Sequence, residues 1–193
     1  MSLILASNSQ IRKEMLEQAG LKFEVQSPSF DEDKAKQGFA GDGELLVRSL
    51  AMGKAASVSP DSNDWVIGSD STVAIDAIRY SKPRDREEAA DHLRAFSGRT
   101  MILSSSVALA RRGEVEWVHT ESARLYWRLL TEDFIAAYLD EEWPEVGYCV
   151  GVFRMEGRGV TLFDRVEGSH FTILGMPLLP LLGALRDRGV MPS

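Results

Sequence analysis

Apolar positions along this chain switch between two periods, and each switch marks an element. Residues 3–6, Leu3-Ile4-Leu5-Ala6, form a short apolar run that predicts a first strand. Ser7-Asn8-Ser9 follows, and Ile11, Met15, Leu16 and Ala19 recur at helical spacing up to Gly20. This predicts a helix with a polar cap in front and a glycine stop behind. Phe23 and Val25 alternate as a strand. Residues 27–43 are polar, contain glycine and show no period, so they read as a long loop with room for one helical turn. Leu45, Leu46, Ser49, Leu50, Gly53 and Ala56 make one face of a helix. A turn over residues 60–64 precedes a strand at 65–68, and a second extended piece at 72–75 follows Asp70. Another turn then leads to Arg79-Tyr80.

Asp85-Arg86-Glu87-Glu88 opens a helix with acidic residues where the helix dipole favours them, and Ala89, Leu93 and Phe96 give it a buried face. Beyond Ser97-Gly98 the chain is richer in strands. Residues 101–110 and 115–127 flank Arg111-Arg112-Gly113 and predict a hairpin. Thr131 caps a helix carrying Phe134, Ile135, Tyr138 and Leu139. Residues 151–155 and 160–166 read as two further strands, and Gly175-Met176-Pro177 precedes a final leucine-rich helix. Strands alternating with helices, then a strand-rich region, predict an α/β fold with a mixed sheet.

The bulk properties narrow the function classes. The 193 residues are 44% hydrophobic and 26% charged, a globular composition that a single domain over 1–193 accommodates. No uncharged apolar run is long enough to span a bilayer; the best candidate, residues 171–185, contains Pro177 and Pro180. No basic region precedes residues 3–6, so no secretory signal and no membrane partner are expected. Twenty-two basic against 29 acidic side chains give a net charge of −7, which argues against binding a nucleic-acid polymer. A local basic cluster can still hold one small phosphorylated molecule. Cys149 is the only cysteine, so an intrachain disulfide and a cysteine-rich metal site are both excluded, and a reducing cytoplasm fits. His92, His119 and His170 show no metal spacing among themselves.

The candidate chemistry gathers at element ends. In Gly68-Ser69-Asp70-Ser71 an apolar run ends on a carboxylate set among small polar residues. Locally it fits a turn as well as a catalytic acid. Ser7 and Ser9 can cap the first helix or offer hydroxyls and free N–H groups to a phosphate, with Arg12 one turn in. Lys54 and Lys82-Pro83 add two cations, each of which alone reads as a surface lysine. Brought together, these donors suit a triphosphate, and Asp31, Glu32 and Asp70 can hold a divalent ion and position a water.

The ordered set resembles the Maf family of nucleotide pyrophosphatases, also called septum-formation-inhibitor proteins. The likeness rests on Leu3-Ile4-Leu5-Ala6-Ser7-Asn8-Ser9 with Arg12 and Glu14, Asp31-Glu32, Leu50-Ala51 with Lys54-Ala55, and Ile67-Gly68-Ser69-Asp70. It continues through Lys82-Pro83, Ser97-Gly98-Arg99, Glu156-Gly157-Arg158-Gly159, Val166-Glu167-Gly168 and Gly175-Met176-Pro177-Leu178. The resemblance implies an inosine-triphosphate-pyrophosphatase-like α/β fold, a long mixed β-sheet with flanking helices forming two lobes around a cleft. It implies cleavage of a nucleoside triphosphate between its α and β phosphates, with Mg²⁺, Mn²⁺ or Co²⁺ as cofactor, by a cytoplasmic homodimer. Asp70 matches the catalytic proton acceptor. Ser7, Arg12, Glu32, Lys54 and Lys82 match polar positions around substrate and metal, Ser9 is a further substrate-binding candidate, and Glu32 with Asp70 is the metal pair, ahead of Asp31.

Departures from the family pattern bear on the base. Gln10-Ile11 precede Arg12 where the family has Pro-Arg or Pro-Trp, and Met101 stands where histidine is common. Tyr148-Cys149-Val150-Gly151 replaces the Asp-Lys-Ala-Gly stretch of the branch that hydrolyses thymidine and uridine triphosphates. Cys149 looks more like the branch that hydrolyses 7-methyl-GTP. The alternative reading is a non-catalytic nucleotide-binding regulator of cell division that works through a protein partner.

Overall fold

A computed structural model describes residues 2–39, 41–58 and 62–192. In chain order its elements are β1 (Leu3–Ala6), α1 (Gln10–Gln18), β2 (Glu24–Val25), α2 (Glu32–Lys36), α3 (Gly43–Ala56), β3 (Trp65–Ile75) and β4 (Ile78–Tyr80). They continue with α4 (Arg86–Phe96), β5 (Thr100–Arg111), β6 (Glu114–Trp127), α5 (Glu132–Glu142), β7 (Phe163–Glu167), α6 (His170–Ile173) and α7 (Leu178–Asp187). The strand order is β2-β1-β3-β5-β6-β7, with β4 on β3. Pairing of β1 with β2 and β3 is parallel, while β3·β4 and β6·β7 are antiparallel, so the sheet is mixed as expected. Among the described residues no helix is long and apolar enough to cross a membrane.

The chain divides into two compact units. The first comprises Met1–Ser71, Ser104–Ser122 and Ser169–Ser193; the second comprises Thr72–Leu103 and Ala123–Gly168. In the first unit, strand alternation sorts side chains onto two faces. Leu3 and Leu5, Trp65 and Ile67, and Val107 and Leu109 point to one face, where Met15 and Leu16 of α1 and Leu178, Leu181 and Leu185 of α7 bury them. On the opposite face Ile4, Ala6 and Val66 pack with Val58, and Ala108 and Ala110 pack with Ala51 and Ala55 of α3. The small residues matter because they let α3 lie close to the sheet.

Gly68 carries that closeness furthest. A Cβ placed there would sit 2.3 Å from the Ala51 carbonyl oxygen and 2.5 Å from the Ala55 nitrogen. Only a residue without a side chain admits the helix backbone at this distance.

In the second unit the core is aromatic. Phe96 lies 5.0 Å from Trp127, Trp127 lies 4.8 Å from Phe163, and Phe163 lies 5.0 Å from Phe153, between ring centroids. Asp76 and Ala77, both at positive φ, make the two-residue turn from β3 into β4. Arg94 of α4 ion-pairs with Glu132 of α5 at 2.8 Å.

Several sequence expectations are corrected. The strand at 65–68 does not break at Asp70; β3 runs uninterrupted through Ile75, so Asp70 sits mid-strand rather than in a turn. Ser69, Asp70 and Ser71 find partners within the first unit, which removes the local reason to stop. Residues 151–155 are not a strand: Val152 lies at φ 56 and its carbonyl accepts the Tyr138 hydroxyl at 3.0 Å. The strand expected over 160–166 starts only at Phe163, because Arg158–Leu162 is a 3₁₀ turn. The short helix α6 was not foreseen. Of the turn expected at 60–64, Pro60 and Asp61 lie outside the described residues.

Gly68→Ala is expected to lower the unfolding free energy by about 1–3 kcal/mol, the scale of overpacking against a fixed backbone. Urea denaturation followed by tryptophan fluorescence checks this; unchanged stability would show that α3 can move away without cost.

Candidate active site

The close approach at Gly68 sets what faces Asp70. Gly68 and Asp70 share the α3 face of β3, and Lys54 lies in the last turn of α3, one turn beyond the contact at Ala51. Lys54 Nζ donates to Asp70 Oδ1 at 2.8 Å. A second carboxylate comes from α2, the helical turn inside the long loop. Asp31 caps that helix by accepting the Lys34 N–H at 3.0 Å, and this puts Glu32 in its first turn. Glu32 Oε1 lies 2.9 Å from Lys54 Nζ, and its Oε2 lies 3.4 Å from Lys36 Nζ on the next turn. One buried ammonium is therefore shared by two carboxylates.

Burial decides how much this pairing matters. Lys54 is 6% exposed and Asp70 9%. A charge removed from water to that extent is tolerated only with partners, and deleting the ammonium would leave two carboxylates facing each other. Partial burial of Glu32 raises its pKa, but the hydrogen bond and charge of Lys54, with Lys36 behind, outweigh burial and hold it below its ordinary 4.5.

Arg12 is the second buried cation, 8% exposed. It sits on α1, and its Nε donates to the Gly175 carbonyl at 2.9 Å, its Nη2 to Ser71 Oγ at 3.1 Å and its Nη1 to Ser7 Oγ at 3.4 Å. All three acceptors are neutral. Among the described residues Arg12 forms no ion pair with a carboxylate. Burial pushes its pKa down, and only the field of Asp70 and Glu32 works in the opposite direction. A desolvated guanidinium without a contacting anion has unused capacity for one.

The first unit thus brings together Ser7 with Arg12, and Glu32 with Lys54 and Asp70. Ser7 is buried, and its oxygen takes the Ser9 N–H at 3.2 Å. Ser9 is the N-cap residue of α1 but makes no side-chain cap bond, so the capping role expected of its hydroxyl is not realised. Asp31 is an exposed cap, remote in role from the buried pair. Lys82 belongs to the second unit, exposed in the segment before the buried Pro83.

Residues that sequence reasoning missed surround these. Ser69 and Ser71 face away from Asp70 on the same strand, and Ser105 and Ser106 lie beside them on β5. The available signal was Ser104-Ser105-Ser106, three hydroxyls interrupting an apolar strand. Cys149, in the second unit, has its thiol pushed up to about 11 by burial and then by Glu156, which keeps it protonated at neutral pH.

Glu32 and Asp70 are hard oxygen donors of the kind that suits Mg²⁺, and the point on which they converge is held by the Lys54 ammonium. Among the described residues no three His, Cys, Asp or Glu side chains gather into a metal-binding group. A divalent ion here would take its remaining ligands from water and from substrate oxygens, as Mg²⁺ commonly does.

A sequence model of the family described as Maf-like protein matches residues 2–188. A 7-methyl-GTP pyrophosphatase of Rhizobium etli is 44% identical to the chain over 195 residues, covering 98% of the chain and 97% of that protein. A nucleoside triphosphate pyrophosphatase of Nitrobacter hamburgensis is 45% identical, covering 98% of the chain and 95% of its own length. Among solved structures, the Ham1 protein of Staphylococcus aureus aligns with a TM-score of 0.48 at 16% identity, covering 98% of this chain and 100% of that one.

Because the folded pKa of Glu32 lies below its ordinary 4.5, its ion pair stabilises the fold fully above that value. The contribution is lost as pH falls through the lowered folded value. Unfolding free energy measured between about pH 5 and pH 3 is expected to fall less steeply for Glu32→Gln than for the unaltered protein. Parallel slopes would remove Glu32 from the buried charge pair.

Proposed function

The chain belongs to the Maf-like family, and from that membership we propose that it is a nucleoside triphosphate pyrophosphatase, hydrolysing the α–β anhydride to nucleoside monophosphate and pyrophosphate. One observation carries the reading to specific residues. Two buried cations, Lys54 and Arg12, stand beside a carboxylate pair, and among the described residues no carboxylate contacts Arg12. That arrangement supplies what the reaction asks for: fixed donors on the phosphate oxygens and an acceptor for the proton of water.

In this scheme Asp70 takes the proton from the attacking water as the new P–O bond forms. The bridging P–O bond breaks and pyrophosphate leaves. Arg12 and Lys54 bind the phosphate oxygens, and Ser7 keeps Arg12 in place. Glu32 and Asp70 would hold Mg²⁺, or Mn²⁺ or Co²⁺ in its place. When bound, the ion neutralises charge developing on the phosphate oxygens. The polyphosphate brings negative charge to Lys54, which in the free protein is balanced by the two carboxylates.

Cys149 and the relatives named 7-methyl-GTP pyrophosphatase favour a methylated guanine nucleotide, while relatives of equal similarity carry the broader name. The family reading also places the protein in the cytoplasm as a homodimer, with neither a nucleic-acid polymer nor a membrane as partner; the net charge of −7 supports the exclusion of polymers.

A panel of 7-methyl-GTP, UTP, dTTP, CTP and modified pyrimidine triphosphates, with products resolved by chromatography, tests the reading. Monophosphate and pyrophosphate are expected, fastest from 7-methyl-GTP. Orthophosphate and diphosphate would overturn the bond assignment, and binding without turnover in Mg²⁺, Mn²⁺ and Co²⁺ would favour the regulator instead. Asp70→Asn is expected to fold and to lose about a hundredfold or more in turnover, the scale of general-base catalysis.

A further inference from the structure

The neutral oxygens behind Arg12 form a network whose proton directions can be worked out. The Gly175 carbonyl has two lone pairs but three donors within reach: Arg12 Nε at 2.9 Å, Ser69 Oγ at 3.1 Å and Ser71 Oγ at 3.1 Å. Ser69 has a shorter acceptor, the Ser106 carbonyl at 2.8 Å. Placing its proton there leaves Gly175 to Arg12 and Ser71. The single Ser71 proton then points to Gly175, so the Ser71 oxygen accepts from Arg12 Nη2 and from Ser105 Oγ, 2.9 Å away. Ser105 is completely buried, and its one proton has two acceptors within reach, Ser71 Oγ and the Thr172 carbonyl at 2.8 Å. Because the Ser71 proton is on Gly175, the contact between the two hydroxyls is bonded only when Ser105 donates to Ser71, and the Thr172 carbonyl then keeps the Gly175 N–H. Ser69, Ser71 and Ser105 then each donate once, to the Ser106 carbonyl, the Gly175 carbonyl and Ser71 Oγ in turn.

The Gly175 carbonyl is aimed by its backbone. Gly175 sits at φ +105, closing α6 with its N–H on the Thr172 carbonyl at 3.0 Å. An added Cβ would stand 3.2 Å from Ser71 Oγ and 3.5 Å from Arg12 Nη2. This conformation is open to glycine and strained for other residues.

We propose that Ser105 and the Gly175 carbonyl are positioning residues for Arg12. Neither is required to touch substrate. Together they fix the guanidinium so that the N–H groups not used on Gly175, Ser71 and Ser7 remain for an anionic ligand; a guanidinium has five, and these three partners take one each. The identity of that anion as a nucleotide phosphate rests on the function proposed above, whereas the positioning itself does not.

Ser105→Ala removes the hydroxyl without adding volume, and Arg12→Lys keeps the charge but loses the fork. Calorimetric binding of α,β-methylene-GTP in the presence of Mg²⁺, across these two single variants and the double variant, measures the coupling. Ser105→Ala is expected to weaken binding about fivefold in the otherwise unaltered protein, and by less than about twofold when Arg12 is already lysine. Turnover of 7-methyl-GTP by the Ser105→Ala protein is expected to show the change in KM, with kcat within about twofold. Equal effects of Ser105→Ala in both backgrounds, or no effect in either, would overturn the proposal. Solvent exchange of the Arg12 Nε–H, followed by NMR, needs neither ligand nor the lysine variant. It is expected to speed up about tenfold in Ser105→Ala, and an unchanged rate likewise overturns the proposal. If the unaltered protein turned over no triphosphate while coupling and exchange behaved as expected, the pyrophosphatase reading would fall and the positioning role would stand.

Discussion

The contact between the backbone of α3 and β3 at Gly68 is the constraint from which the site follows. With no Cβ at position 68, the helix settles with its carbonyl and amide groups against the strand. Lys54, one turn along, is then delivered to Asp70, two residues along the strand on the same face. Alanines at 51 and 55 on the helix and at 108 and 110 on β5 keep that side thin enough for the approach. The opposite side of the same sheet is packed by leucines and a tryptophan, so the strand has a rigid backing. Thin packing on one side and thick packing on the other fix the depth at which the acid sits.

Charge is arranged on this frame in an economical way. Two carboxylates would repel each other strongly in a buried setting, and Lys54 makes their proximity tolerable. Arg12 is treated differently. It is equally buried, yet its neighbours are a carbonyl and two hydroxyls, and the carboxylates act on it only through their field. The contrast separates a cation that is already neutralised from one that is not. In the proposed function a polyanionic substrate resolves that imbalance, which would link the electrostatics of the first unit to pyrophosphatase chemistry.

The strand β3 serves both cations because successive residues face opposite ways. Asp70 turns toward α3 and Lys54, while Ser69 and Ser71 turn toward Gly175 and Arg12. A strand ending at Gly68 followed by a turn would have lost this alternation. Hydroxyl side chains allow the strand to continue, since each finds a backbone carbonyl or another hydroxyl without competing for ladder bonds.

Much of the architecture was legible in the amino-acid sequence because it depends on local period and capping. The strand at Leu3–Ala6, the helices over Gln10–Gln18, Gly43–Ala56, Arg86–Phe96 and Glu132–Glu142, and the long hairpin after Gly98 all follow from apolar spacing with polar or glycine punctuation. The candidate site residues were legible in another way: local spacing left Asp70, Glu32, Lys54 and Arg12 each open to a bland reading, and only their order in a set that resembles the family singled them out. Tertiary structure decided the rest. Whether β3 continues past Asp70 depends on partners more than thirty residues away in sequence, among them Ser106 and Gly175. The turn around Val152 depends on the Tyr138 hydroxyl. Above all, the sequence placed Lys54 and Asp70 among the candidates but could not say that one ammonium lies between two carboxylates while Arg12 lies against none among the described residues. That distinction is a matter of which surfaces touch, and it was decided by a missing side chain at Gly68 and a carbonyl turned by Gly175.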